Sequence, residues 1–100
     1  MSDYSAMSDY EISCEVARAI SFADYLLARN EQKNYCNSWA DTGPIIFRER
    51  ITLTPKVMGY EWDAISSVIL NDDIEHLHTD PNPLRAAMIV FLMMKAKGDA

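Results

Sequence analysis

The stretch "YCNSWADTGPIIFRERITLTP" occupies residues 35–55 of a 100-residue chain, and its reading decides the fold. β-Branched residues crowd between Pro44 and Pro55. Such residues fit a pleated backbone, and proline confines strand ends, so the composition predicts a strand built around residues 45–53. Ile51 and Leu53 then share one face, with Arg50, Thr52 and Thr54 on the other. Ile45, Phe47 and Glu49 continue the first face, although Glu49 breaks the alternation. On this expectation Gly43 and Pro44 set the turn, Ile45 and Ile46 enter the core and Trp39 covers it. Asn37, Ser38 and Asp41 bond local backbone in Asx- and ST-type turns. The competing expectation is a recognition loop, because loops held on a rigid scaffold carry much of protein binding.

Outward from this stretch the signals are mostly helical. Ser8 and Glu11 stand at capping-box spacing, with Met7 and Ile12 at the staple positions. Ile12, Val16, Ala19 and Ile20 recur at helical spacing, which predicts a helix over 10–20. Residues 21–30 either extend that helix, form a short second one closing near Asn30, or make an aromatic loop. The run around Trp62 predicts a returning strand, with Tyr60 and Trp62 on one side and Glu61 and Asp63 on the other. Residues 71–83 are expected to be a polar loop. Asn82 then reads as an N-cap, Pro83 as the first helical residue and Gly98 as the stop. Between them lies a helix apolar on every side, which must be buried on most faces. Met88, Met93 and Met94 are assigned to the core, with an adaptable partner surface as the alternative.

Composition narrows the function. The chain is 49% hydrophobic and 24% charged, as in a globular protein. A domain of this size buries roughly two-thirds of its unfolded surface and needs no metal or disulfide to fold. The net charge of −6 argues against nucleic-acid binding through a basic surface. Cys14 and Cys36 suit free thiols in a reducing cytosol. The acidic, apolar-poor N-terminus is not a signal peptide. The longest apolar run, residues 86–94, falls short of the about twenty residues that span a bilayer.

Chemical motifs are sparse. His76 and His78 stand at strand spacing among acids, which could hold a divalent cation, but the spacing matches no zinc motif and a solvated acidic loop is expected. Cys36 or Cys14 could serve as a nucleophile, yet nothing in the sequence activates either. A phosphate-cradling glycine loop is missing from a chain with three glycines. No catalytic residue, metal ligand or cofactor is therefore assigned. Arg85 is the one charge between Pro83 and Met94, so it must sit at a rim or be paired, with Asp41 or a bound anion as its candidate partner.

The segments "DYSAMSDYEISCEVARAI", "YCNSWADTGPII", "RITL" and "NPLRAAMIVFLMMK" resemble the NinX-like family of small phage and prophage proteins. The resemblance covers both ends and the middle and leaves out residues 21–34 and 54–79. It implies a phage or prophage accessory gene product acting in the bacterial cytoplasm. It assigns no catalytic residue, and it singles out Asn37, Trp39, Asp41, Gly43, Pro44 and Arg85.

The expected fold is α+β, one domain over residues 1–100. A small antiparallel sheet packs against an N-terminal helix and a largely buried C-terminal helix. The first functional expectation is a non-enzymatic acidic protein that binds a host protein, with inhibition of a defence system as its purpose. The second is a small-ligand binder for a nucleotide-like molecule, held by Trp39 stacking and by Arg48 or Arg85. An enzyme centred on Cys36 or the His76/His78 pair ranks last. Asn37, Trp39, Asp41, Arg48 and Arg85 are the candidate binding residues. No membrane contact is expected, and homo-oligomerisation stays open.

Overall fold

The computed structural model describes residues 4–56, 59–66 and 76–98. Outside the described residues lie Val57 and Met58, residues 67–75, and the chain termini. Those positions include part of the turn expected after Pro55, the end of the expected returning strand and most of the expected acidic loop around Asp72.

A 3-10 turn over Tyr4–Ala6 leads into α1, Asp9–Ile20. The capping box is formed: the Ser8 hydroxyl accepts from the Glu11 N–H at 3.1 Å, and the Glu11 carboxylate accepts from the Ser8 N–H at 2.8 Å. Ser21 decides the open question of residues 21–30. Its backbone is fully extended, which ends α1, and its hydroxyl accepts from the Asp24 N–H at 3.1 Å to start α2, Phe22–Arg29.

The strand expected over residues 45–53 forms only from Thr52 onward; the residues before it belong to a helix, α3, Trp39–Glu49. Ser38 caps it by accepting the Asp41 N–H, and Asp41 complements the positive end of the helix dipole. Thr42, Ile45 and Ile46 recur at helical spacing and are the buried residues of α3. Burial of that stripe outweighs the modest preference of isoleucine for strands. Pro44 inside a helix normally costs about 3 kcal/mol, through a lost hydrogen bond and a clash of its ring with the carbonyl four residues back, and it also crowds the residue before it. The lost bond and the crowding are reduced here. Ala40, whose carbonyl loses its partner, is on the exposed side with Pro44, where water can serve it. Gly43 has no Cβ to clash with the proline ring.

The strands are β1, Thr52–Pro55, β2, Trp62–Ile65, and β3, Leu77–Asp80, in the antiparallel order β1-β2-β3. The returning strand at Trp62 is present. The polar loop expected over residues 71–83 is instead a strand over Leu77–Asp80, pairing Leu77 with Ile65 and Asp80 with Trp62. Ser66 pins the start of this pairing. Its N–H donates to the His76 carbonyl at 3.0 Å and its hydroxyl accepts from the His76 N–H at 3.1 Å. The Lys56 N–H donates to the Glu61 carbonyl. By antiparallel alternation Thr52 and Thr54 therefore turn their peptide groups to β2, and Leu53 and Pro55 turn theirs to the free edge. Proline offers no N–H there, which blunts the edge against pairing with another chain.

Helix α4, Pro83–Gly98, is the middle layer. Asn82 caps it, its side-chain oxygen accepting from the Leu84 N–H at 2.9 Å. Ala86 through Leu92 are all buried, as an all-apolar helix requires. One side of α4 carries the sheet, another carries α1, and α3 flanks it. The N-terminal helix thus reaches the sheet through α4, not by lying on it. Met88 is fully buried, and Met93 and Met94 pack partly buried on the core. Cys14 and Cys36 are free and buried.

Two helices end in the same unusual way. After α2 the Gln32 N–H returns to Leu27 and the Glu31 N–H to Ala28; after α3 the Ile51 N–H returns to Ile46 and the Arg50 N–H to Phe47. Each is a Schellman closure, whose central left-handed position is normally glycine. Here it is Glu31 at φ 62° and Arg50 at φ 57°. Glu31→Gly and Arg50→Gly are each expected to stabilise the fold by roughly 0.5–1 kcal/mol, the left-handed penalty less the chain entropy of glycine. Thermal melts should show a rise of a few degrees in Tm, and a fall would contradict the assignment.

An ion pair ties α2 to the following loop. Lys33 Nζ donates to the Asp24 carboxylate at 2.7 Å, and the Ser21 hydroxyl donates to it at 2.8 Å. The Lys33 hydrogen bond, helped by Ser21, holds the Asp24 carboxyl below its usual value. Its stabilising contribution is therefore present above the ordinary carboxylate range and is lost as pH falls through the depressed folded value. Lys33→Met is expected to move the Asp24 titration upward in carboxyl-detected NMR. An unmoved titration would mean that the ammonium is not the cause.

Candidate functional site

The candidate residues separate into two places. Asn37, Asp41 and Arg85 belong to a hydrogen-bonded hub where the starts of α1, α3 and α4 meet the end of β3. Arg85 is at its centre, its side chain only 13% exposed. Its Nε donates to Asp80 at 3.1 Å and its Nη1 to Asp9 at 2.7 Å. Its Nη2 donates to the carbonyls of Ser5 at 3.1 Å and Met7 at 2.7 Å. The expected pairing of Arg85 with Asp41 is not the one formed. Asp9 and Asp80 take that role, and Asp41 instead accepts from the Asn34 N–H at 3.0 Å.

Asparagines complete the hub. Asn82 donates to the Cys36 carbonyl at 2.6 Å and to the Asn37 side chain at 3.2 Å. Asn37 in turn donates to Asp9 at 3.2 Å and Asn34 at 3.3 Å. Below them the loop is anchored to two helices. The Tyr35 N–H donates to the Ser13 hydroxyl of α1 at 3.0 Å, and the buried Thr42 hydroxyl of α3 donates to the Tyr35 carbonyl. These polar groups are thus spent on architecture. Burial, then the charge of Asp9, pushes the Cys36 thiol up to about 12, far from a reactive thiolate. His78 Nε2 stands 4.0 Å from the Asp80 carboxylate, which Arg85 already engages.

The second place is the outer face of α3. Trp39 does not cover the core: it is 61% exposed, and Phe47 is 87% exposed. Trp39, Gly43 and Phe47 follow one another at i, i+4 and i+8, so they line one helix face. With Ile46 they wall an open groove of about 700 Å³. The Trp39 indole lies on Gly43 so closely that a Cβ there would stand 3.0 Å from Nε1 and 3.1 Å from Cε2. Arg48 and Arg50 also line the groove, which runs on to Thr52 at the start of β1. Arg48 pairs with Glu49 at 3.2 Å, and Lys95 approaches the same Glu49 oxygen at 3.9 Å. Arg50 makes no ion pair among the described residues.

The groove unites Trp39 with Arg48, as the sequence suggested, and adds Phe47 and Arg50, which sequence reasoning missed. The signal existed in the i, i+4, i+8 spacing from Trp39, but it is visible only once residues 39–49 are read as a helix. Arg85→Met should leave Asp9 and Asp80 without their partner and cost about 3 kcal/mol in urea unfolding. Arg85→Lys should recover only part of this, because one ammonium cannot reach four acceptors spread around a planar fork. Full stability in either variant would remove Arg85 from the centre of the hub.

Comparison with known proteins gives one family. The family model described as bacteriophage P22, NinX matches residues 3–95. No curated protein and no solved structure matches the chain.

Proposed function

The chain belongs to the bacteriophage P22 NinX family, and we propose that this phage accessory protein works without catalysis, by holding a host protein on the outer face of α3. The observation that carries the proposal is the exposure of Trp39 and Phe47 together on a helix face rimmed by Arg48 and Arg50. Large aromatics left in water forgo about 1.5–3 kcal/mol of burial each, and tryptophan and arginine are enriched among residues that dominate interfaces. The high thiol pKa of Cys36 supports a role in which Cys36 is no nucleophile.

Such a complex would form in the host cytoplasm, and inhibition of a defence protein is the purpose we assign to it. The acidic body, at net charge −6, would contribute by steering the approach to a partner. Imitation of nucleic acid is the weaker route. Asp9 and Asp80 are spent on Arg85, and Asp24 on Lys33, so these carboxylates do not stand free like a row of phosphates. Among the described residues no helix is long and apolar enough to cross a membrane.

Affinity recovery from host lysate tests the proposal. The native chain should retain a specific partner, and added salt should weaken the complex through Arg48 and Arg50. Trp39→Ala with Phe47→Ala should reduce recovery at least tenfold, on the scale of about 2 kcal/mol for an interface anchor. No specific partner, or equal recovery by both chains, overturns it.

A further inference from the structure

We infer that the α3 groove receives an acidic segment of a partner protein, which lays an apolar side chain between Trp39 and Phe47 and sets carboxylates against Arg48 and Arg50. The inference rests on α3 being the binding face and adds the chemistry of what binds there.

Charge complementarity is the first ground. The chain carries −6 overall, yet two arginines line the groove: Arg48, paired with the neighbouring Glu49 at 3.2 Å, and Arg50, with no ion pair among the described residues. A local positive patch on an acidic body selects a segment with a few negative charges. A nucleic-acid strand, charged at every phosphate, would be repelled by the rest of the molecule. Arg50 is the second ground. It holds a left-handed backbone position, φ 57°, that glycine would occupy without strain, and its side chain has no ion pair among the described residues. Arg50 puts a cation at the groove that no carboxylate of the described residues engages.

Size and shape define the occupant further. Eleven positions separate Trp39 from Arg50, a span of about 16 Å at the rise of a helix. That length suits three turns of a docked helix or a short extended segment, and it exceeds a single nucleotide. Strand addition is disfavoured at the adjoining edge of β1, because Pro55 presents no N–H there. A second copy docking through the same face would bring two sets of groove arginines into one interface, with no carboxylate among the groove-lining residues to meet them.

A random 12-residue display library, panned on the immobilised native chain, tests this. Selected peptides should carry an aromatic or leucine anchor flanked by Asp or Glu. As free peptides they should lose at least tenfold in affinity on Trp39→Ala and on Arg50→Glu, both substitutions at exposed positions. The variant Arg48→Glu/Arg50→Glu should reverse the preference, favouring the same peptides with Lys in place of Asp and Glu. Arg50→Gly should raise Tm while weakening the peptide, a combination that a purely structural arginine would not give. Selection of neutral or basic peptides, binding indifferent to Trp39 and Arg50, or failure to select any peptide overturns the inference. The test separates the two proposals. Acidic peptides bound at α3 with no partner recovered from lysate would sink the host-protein role alone. A lysate partner held at α3 through a non-acidic segment would sink this inference alone.

Discussion

The Arg85 guanidinium is the interaction on which the structure depends. It is anchored on the first turn of the most buried helix, and its bonds reach the chain's first turn, the start of α1 and the end of β3. A largely buried cation is tolerable only if its charge and its N–H groups are met, and here two carboxylates and two carbonyls meet them. Asp80 serves twice, accepting from Arg85 on one oxygen and from the Asn82 N–H on the other. The cap of α4 and the last strand are therefore positioned by the same side chain. Asn82 extends the connection to Cys36 and Asn37, and so to the start of α3. What the hub fixes is the relative placement of four chain segments. The apolar core, which is non-directional, cannot supply that on its own.

Around this junction the layers follow from burial. Helix α4 has no polar side over residues 86–92, so it must be covered all round, and the sheet, α1 and α3 divide that task. Helix α3 leaves two large aromatics, Trp39 and Phe47, largely in water beside arginines. Its inward stripe of Thr42, Ile45 and Ile46 holds it to the core, and its outward face is left for other contacts. The hub and the groove sit on opposite duties of one segment. Residues 34–38 are bound tightly so that the helix starting at Trp39 leaves at a fixed angle.

Much of this was legible because it is local. Ser8 with Glu11, and Asn82 with Pro83, are capping signals contained within a few residues, and both function as read. The all-apolar run of α4 announced its own burial. The reading of residues 45–50 failed because β-branched composition is a weak preference that one buried stripe overrides, and because Gly43 removes one of the clashes a proline makes in a helix. Strand β3 was hidden for a different reason. Leu77, His78, Thr79 and Asp80 look like a polar loop, and the groups that make them a strand, Ser66 and Asp63, lie far away in sequence. Arg85 was flagged correctly as a charge in need of a partner. Its actual partner at Nη1, Asp9, is 76 positions away, a distance that no local pattern encodes.

Trp39 is exposed, yet its ring lies against its own helix. Its indole rests on the bare Cα of Gly43, where even one methyl group would intrude. A side chain that has already settled into one posture surrenders little further rotational freedom when something lands on it. On the proposed reading, the bare Cα at residue 43 would give the indole a seat before any encounter and so lower the entropic cost of association.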